Sequence, residues 1–133
     1  MSEEIALAPL LDAVERYFTL MYEGDVSRFD AVFAPSAQLH GFRDGALRIL
    51  TAQDYLNILA SSASPKSRNA PRLEEVLLVD FVSSTQAMVK VRVRIDPLQY
   101  LDHLSYHRID GTWLITAKSF HVERKYEQAD TAE

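Results

Sequence analysis

The stretch QAMVKVRVRI, Gln86 to Ile95, decides the fold class. Val89, Val91, Val93 and Ile95 alternate with Met88, Lys90, Arg92 and Arg94, the two-residue period of a strand with one dry face and one wet face. Upstream, Leu73 to Val82 is equally β-rich, and Ser83-Ser84-Thr85 joins the two as a hairpin. Downstream, Pro97 breaks the run. Leu98 to Ile109 and Thr112 to Val122 then form a second hairpin around Asp110-Gly111, a strong tight-turn signal.

Before Leu73 the period changes. Leu7, Leu10, Leu11, Val14, Phe18 and Met21 recur at three- and four-residue steps, one face of a helix from Ile5 to Tyr22. Gly24-Asp25 stops it, and Asp25 caps a second helix through Val26, Phe29, Val32 and Phe33. Pro35-Ser36 opens a strand from Ala37 to Phe42, and Asp44-Gly45 turns it into another from Ala46 to Leu50. Thr51 and Asp54 begin a third helix through Tyr55, Leu56, Ile58 and Leu59. Ser61 to Pro71 reads as a polar loop, and the tail from Glu127 as a frayed end. Three N-terminal helices followed by a curved antiparallel sheet of five to six strands make an α+β fold with helices on one face. Depending on register, Leu104, Tyr106, Trp113 and Ile115 fall on the other face, where a homodimer is the simplest cover.

The length of 133 residues suits one domain spanning 1–133, with a core of about 7–122. With no cysteine, disulfides, thiolate metal sites and cysteine nucleophiles are excluded. A net charge of −5 argues against nucleic acid as a partner. No apolar run approaches the ~20 residues of a membrane helix, and Met1-Ser2-Glu3-Glu4 lacks the basic start of a secretory signal. The expectation is a cytoplasmic protein with no membrane partner.

Several strings resemble a known superfamily. Val14-Glu15-Arg16-Tyr17, Gly24-Asp25, Phe33-Ala34 and Ala37 with Leu39 are similar to the opening of nuclear transport factor 2-like proteins. Tyr100-Leu101-Asp102-His103-Leu104, Asp110-Gly111-Thr112-Trp113 and Lys118-Ser119-Phe120-His121 resemble the subgroup named "putative lumazine-binding". The likeness runs from about Leu7 to Val122. It implies a cone whose helices close one side of the sheet and leave a pocket at the wide end. The superfamily holds ketosteroid isomerases, dehydratases, cyclases, epoxide hydrolases and non-catalytic modules, so fold alone does not assign chemistry.

Against the isomerase pattern, Tyr17 stands in the place of the oxyanion-hole tyrosine and Asp102 in that of the oxyanion-hole acid, although the turn after Asp102 is one residue longer. The position of the catalytic base falls at or beside Gly41, which has no side chain. Its neighbour His40 points the other way by strand alternation. Steroid isomerase chemistry is therefore not expected. Tyr17 and Asp102 remain able to polarise a carbonyl by two hydrogen bonds if the acid is kept neutral. The plainer alternative is a core tyrosine bonded to a structural carboxylate.

A regular two-residue turn at Asp110-Gly111 would pair Tyr100 with His121, Asp102 with Ser119 and His103 with Lys118. Asp102 and His121 would then share a face as a dyad; one extra residue in the turn would separate them. His103 and His107 lie about 13 Å apart in a strand, too far for one ion, so no metal or other cofactor is expected. Arg92 and Arg94 form a fork suited to an acidic ligand, or simply a solvated strand face. Phe18, Met21, Phe33, His40, Tyr55 and Trp113 complete the candidate ligand-binding set. The leading expectation is a small-molecule binding domain with an apolar pocket. The alternatives are a cofactor-independent lyase, isomerase or cyclase using Tyr17, Asp102 and His121, and a dimeric interaction module with a vestigial pocket.

Overall fold

The computed structural model describes residues 4–126, and the expected fraying beyond Glu127 lies outside them. Helix α1, Leu7–Glu23, turns Leu10, Val14, Tyr17, Phe18 and Met21 inward. It stops where Gly24 adopts φ 68 and gives its N–H to the Leu20 carbonyl at 2.8 Å, a left-handed cap that glycine adopts without strain. The predicted second helix is instead a 3-10 turn, Val26–Ala31, that ends short of Phe33. Asp25 spends its carboxylate on Ser27, two residues on, and the main chain follows with a tight Arg28-to-Asp25 bond. Such short-range bonding favours the tighter helix.

Strand β1 spans Phe33–Arg43 and begins four residues earlier than the sequence pattern suggests. Pro35 is accommodated because pairing lapses around it: Phe33 meets Ile115, and the ladder resumes only at Gln38 opposite Ala117. Asp44-Gly45 turns β1 into β2, Ala46–Thr51, and the expected capping box of Thr51 and Asp54 starts α2, Ala52–Ser61. Strands β3 (Glu74–Phe81), β4 (Gln86–Ile95), β5 (Leu98–Ile109) and β6 (Thr112–Lys125) follow. The sheet order is β2-β1-β6-β5-β4-β3. All pairings are antiparallel except β1 with β6, whose parallel contact joins the N-terminal hairpin to the C-terminal strands.

Leu104, Tyr106, Trp113 and Ile115 do not lie on the open face of the sheet. They are buried with Leu10, Val14 and Tyr17 in the core beneath the helices. The open face carries other apolar residues: Phe42 opposite Leu47, and Ile49 opposite His40. All three apolar side chains are at least half exposed. Arg92 on that face is gripped by Glu75 and Glu123, each at 2.8 Å. Arg94 bonds Asp96 at 2.6 Å. The predicted arginine fork is thus satisfied by the protein's own carboxylates. Among the described residues no helix is long and apolar enough to cross a membrane.

The β5–β6 hairpin turns at Asp110-Gly111 in two residues, with Ile109 opposite Thr112. The ladder slips further along. Tyr106 faces Ile115 but Ser105 faces Ala117, so Thr116 is an extra residue on β6. That is a β-bulge. The Thr116 hydroxyl lies 2.6 Å from His107 Nδ1 and reaches the Ser105 carbonyl at 3.4 Å, which pins the bulge on the open face.

Candidate functional site

From the bulge as far as Val122 each side chain of β6 faces opposite to its expected side; a second slip at Glu123 restores the phase for Arg124 and Lys125. Asp102 now lies across from Phe120, Leu104 from Lys118 and Leu101 from His121. Asp102 shares the inner face with Lys118 and Phe120, while His121 goes to the open face. The Asp102–His121 dyad is not formed, because a regular ladder from the turn is interrupted at Thr116. Lys118, which the sequence reading placed opposite His103, enters the core instead.

Around Lys118 four elements converge. Tyr17 of α1 donates its hydroxyl to Asp102 Oδ2 at 2.5 Å. Lys118 Nζ lies 3.8 Å from the same oxygen and donates to the Tyr55 hydroxyl of α2 at 3.4 Å. Nζ also sits 5.0 Å from the Tyr17 ring centre and 4.9 Å from that of Tyr55, a favourable place for a cation. Tyr55 is held by an edge contact to Phe33, with centroids 5.6 Å apart, and by a bond from its hydroxyl to the Met21 sulfur. Asp102 and Tyr17 are wholly buried and Lys118 is 4% exposed. The second carboxylate oxygen, Asp102 Oδ1, is buried with no hydrogen-bond partner among the described residues.

Burial pushes the Asp102 carboxyl up, and Lys118 and the Tyr17 bond only partly reverse this. Burial, then the charge of Asp102, holds the Tyr17 phenol well above its ordinary value. For Lys118, burial opposes the charge, but Tyr55 and Asp102 outweigh it and leave the ammonium above 10.5. Stability from Lys118 is therefore fully present below pH 10.5 and is lost as pH rises through its higher folded value. Tyr17 acts in the same direction, because its ionisation is easier once unfolded. Circular dichroism should show stability falling progressively above pH 10.5, and less steeply in Lys118→Met.

Lys118 and Tyr55 line a cleft of about 280 Å³. Met21, Leu39, Leu59, Ile95 and Phe120 supply apolar walls, and the exposed Arg43 and Arg68 stand at its outer end. Of the expected ligand-binding set, Met21 and Tyr55 line this cleft. Phe18, Phe33 and Trp113 are core residues away from it. His40 pairs with Ile49 and Ser119, on the face opposite Leu39. Tyr17 and Asp102 meet as expected but do not reach the cleft; Lys118 stands between them and it. Gly41 could not carry a base. A Cβ there would lie 2.4 Å from the Phe120 ring and 2.5 Å from the Phe120 carbonyl oxygen. The missed residue, Lys118, left one signal: Trp113 and Ile115 set an odd-numbered inner face, whereas bulky Phe120 requires an even one.

The helices closing one side of a curved six-stranded sheet, with a cleft between them, define the nuclear transport factor 2-like class. Residues 6–121 match the family described as "putative lumazine-binding", and the chain belongs to that family. It is 29% identical over 107 residues to "Aldolase FrzH" of Cladobotryum sp, covering 79% of this chain and 82% of that protein. Among solved structures it resembles an NTF2-like protein of unknown function from Methylobacillus flagellatus, with TM-score 0.79 and 19% identity over 93% of this chain and 99% of that one. An NTF-2 like protein of unknown function from Silicibacter pomeroyi gives TM-score 0.78 and 22% identity over 87% and 94%. A ketosteroid isomerase-like protein from Erwinia carotovora atroseptica gives 0.69 and 14% over 89% and 96%.

Proposed function

We propose that the chain binds a small organic molecule in the cleft and seats an oxygen of that molecule, carbonyl or carboxylate, against Lys118 and Tyr55. The observation that carries this reading is the unspent bonding capacity of Lys118. An ammonium has three donors, and among the described residues Lys118 donates one hydrogen bond, the 3.4 Å bond to Tyr55. The apolar walls suit the body of such a ligand, and Arg43, which forms no ion pair among the described residues, can meet an acidic group near the opening. Tyr17 and Asp102 then act behind Lys118, orienting it and balancing its charge. A hydrogen bond from a charged donor is worth about 1.5–3 kcal/mol. Lys118→Met should accordingly weaken binding at least about tenfold in a ligand-observed NMR screen of small keto acids and aromatic carboxylates. Unchanged affinity in the variant would sink the assignment.

The aldolase relative favours a second reading, a cofactor-independent lyase built on the same cluster. His121 faces away from the cleft, so in that case Lys118 and Tyr55 take the part first given to it, supported by Tyr17 and Asp102. The open sheet face also supports a homodimer, because Phe42, Leu47 and Ile49 expose apolar surface side by side. Light scattering at micromolar concentration should give twice the 15.1 kDa chain mass, and Ile49→Glu should return it to the monomer. Cytoplasmic location is part of the same proposal; a chain with no cysteine is compatible with a reducing compartment.

A further inference from the structure

We infer that Lys118 forms a Schiff base with an aldehyde or ketone held in the cleft, an inference that rests on the small-molecule reading of that cleft. Four lysines are present, Lys66, Lys90, Lys118 and Lys125. Lys66 and Lys125 are exposed and Lys90 is half-buried; Lys118 alone among them is buried at a cleft wall. Its surroundings supply what imine formation requires. A base must take a proton before the amine can attack. Asp102 Oδ2 lies 3.8 Å from Nζ, and Oδ1 of the same carboxylate accepts no hydrogen bond among the described residues. A proton relay must then reach the carbonyl oxygen, and the Tyr55 hydroxyl is 3.4 Å from Nζ at the cleft surface. Met21, Leu39 and Phe120 offer apolar walls to the carbon skeleton of the product.

The steps balance. The Lys118 ammonium passes one proton to Asp102, and the freed lone pair forms a bond to the carbonyl carbon while the C=O π pair moves to oxygen. A second proton moves from nitrogen to that oxygen through the Tyr55 hydroxyl, leaving a neutral carbinolamine and a protonated Asp102. Asp102 returns its proton to the departing hydroxyl, water leaves, and the nitrogen lone pair closes the iminium. The net change is ammonium plus carbonyl to iminium plus water. The positive charge ends where it began, beside the Asp102 carboxylate and between the Tyr17 and Tyr55 rings, so groups that hold the ammonium also hold the product.

The test uses the full chain with phenylpyruvate, benzaldehyde or acetoacetate, each with sodium cyanoborohydride at neutral pH, which fixes an iminium as a stable secondary amine. Peptide mass mapping should place one adduct per chain on Lys118, formed at least about tenfold faster than on the other three lysines. The adduct should vanish in Lys118→Arg. It should slow in Tyr55→Phe, with circular dichroism unchanged in both variants. Ligand-observed NMR without reductant separates the two levels of the argument. A probe that binds the cleft yet gives no Lys118 adduct, or labels lysines in order of exposure, overturns the Schiff base and leaves the binding reading standing. No saturable binding by any probe overturns both.

Discussion

Replacing Asp102 by alanine is expected to cost about 3–5 kcal/mol of folding stability. The carboxylate is wholly buried, accepts the Tyr17 hydroxyl at 2.5 Å and faces Lys118 at 3.8 Å. Its removal strands an ammonium in the core and leaves a buried phenol without an acceptor. The loss is mainly the penalty for the orphaned cation, because an intact buried pair contributes little net stability. It follows that Asp102→Leu combined with Lys118→Met should recover most of the loss, while abolishing ligand binding. Urea denaturation of Asp102→Leu, Lys118→Met and the double variant gives the coupling directly. A single-variant cost under about 1 kcal/mol would mean that Lys118 finds another way out of the core.

Gly41→Asp should be nearly as damaging, at about 3 kcal/mol or more, against about 1–3 for Gly41→Ala. The added Cβ would lie 2.4 and 2.5 Å from two carbons of the Phe120 ring and 2.5 Å from the Phe120 carbonyl oxygen. The ring can rotate, but the carbonyl belongs to a paired strand and cannot. An aspartate would add a carboxylate to a buried position of β1. The obvious attempt to restore an isomerase-type base is therefore expected to yield a destabilised protein with no new activity, read by thermal denaturation together with a steroid isomerisation assay. A stable Gly41→Asp variant would show that Phe120 is free to leave its place.

The elements that the sequence states locally are the ones found. Val89, Val91 and Val93 alternate and are buried; Thr51 and Asp54 form both halves of their capping box; Asp110-Gly111 makes its two-residue turn. Each depends on neighbours a few residues away. The features that were not legible depend on distant partners. Pro35 argues against a strand until one sees that β6 pairs on either side of it. The parallel contact of β1 with β6 has no local signature. The Tyr17–Asp102 contact could be anticipated, since both residues lie on apolar faces and need a partner. Lys118 is signalled only indirectly, by the mismatch of face between Ile115 and Phe120, because its facing is settled at Thr116, two residues before it, through a bulge held by His107.

That bulge makes the chemistry of the cleft a matter of phase. Without it, the same β6 sequence would offer Ala117, Ser119 and His121 to the interior and send Lys118 and Phe120 to water. One strand thus encodes two different interiors, one built on an amine and one on an imidazole, and the His107–Thr116 contact favours the first. Among descendants of such a chain, exchanging either of those two residues, neither of which lines the cleft, is a short route to a new reactive group. A comparison of relatives that looks only for a changed residue within the cavity would overlook it.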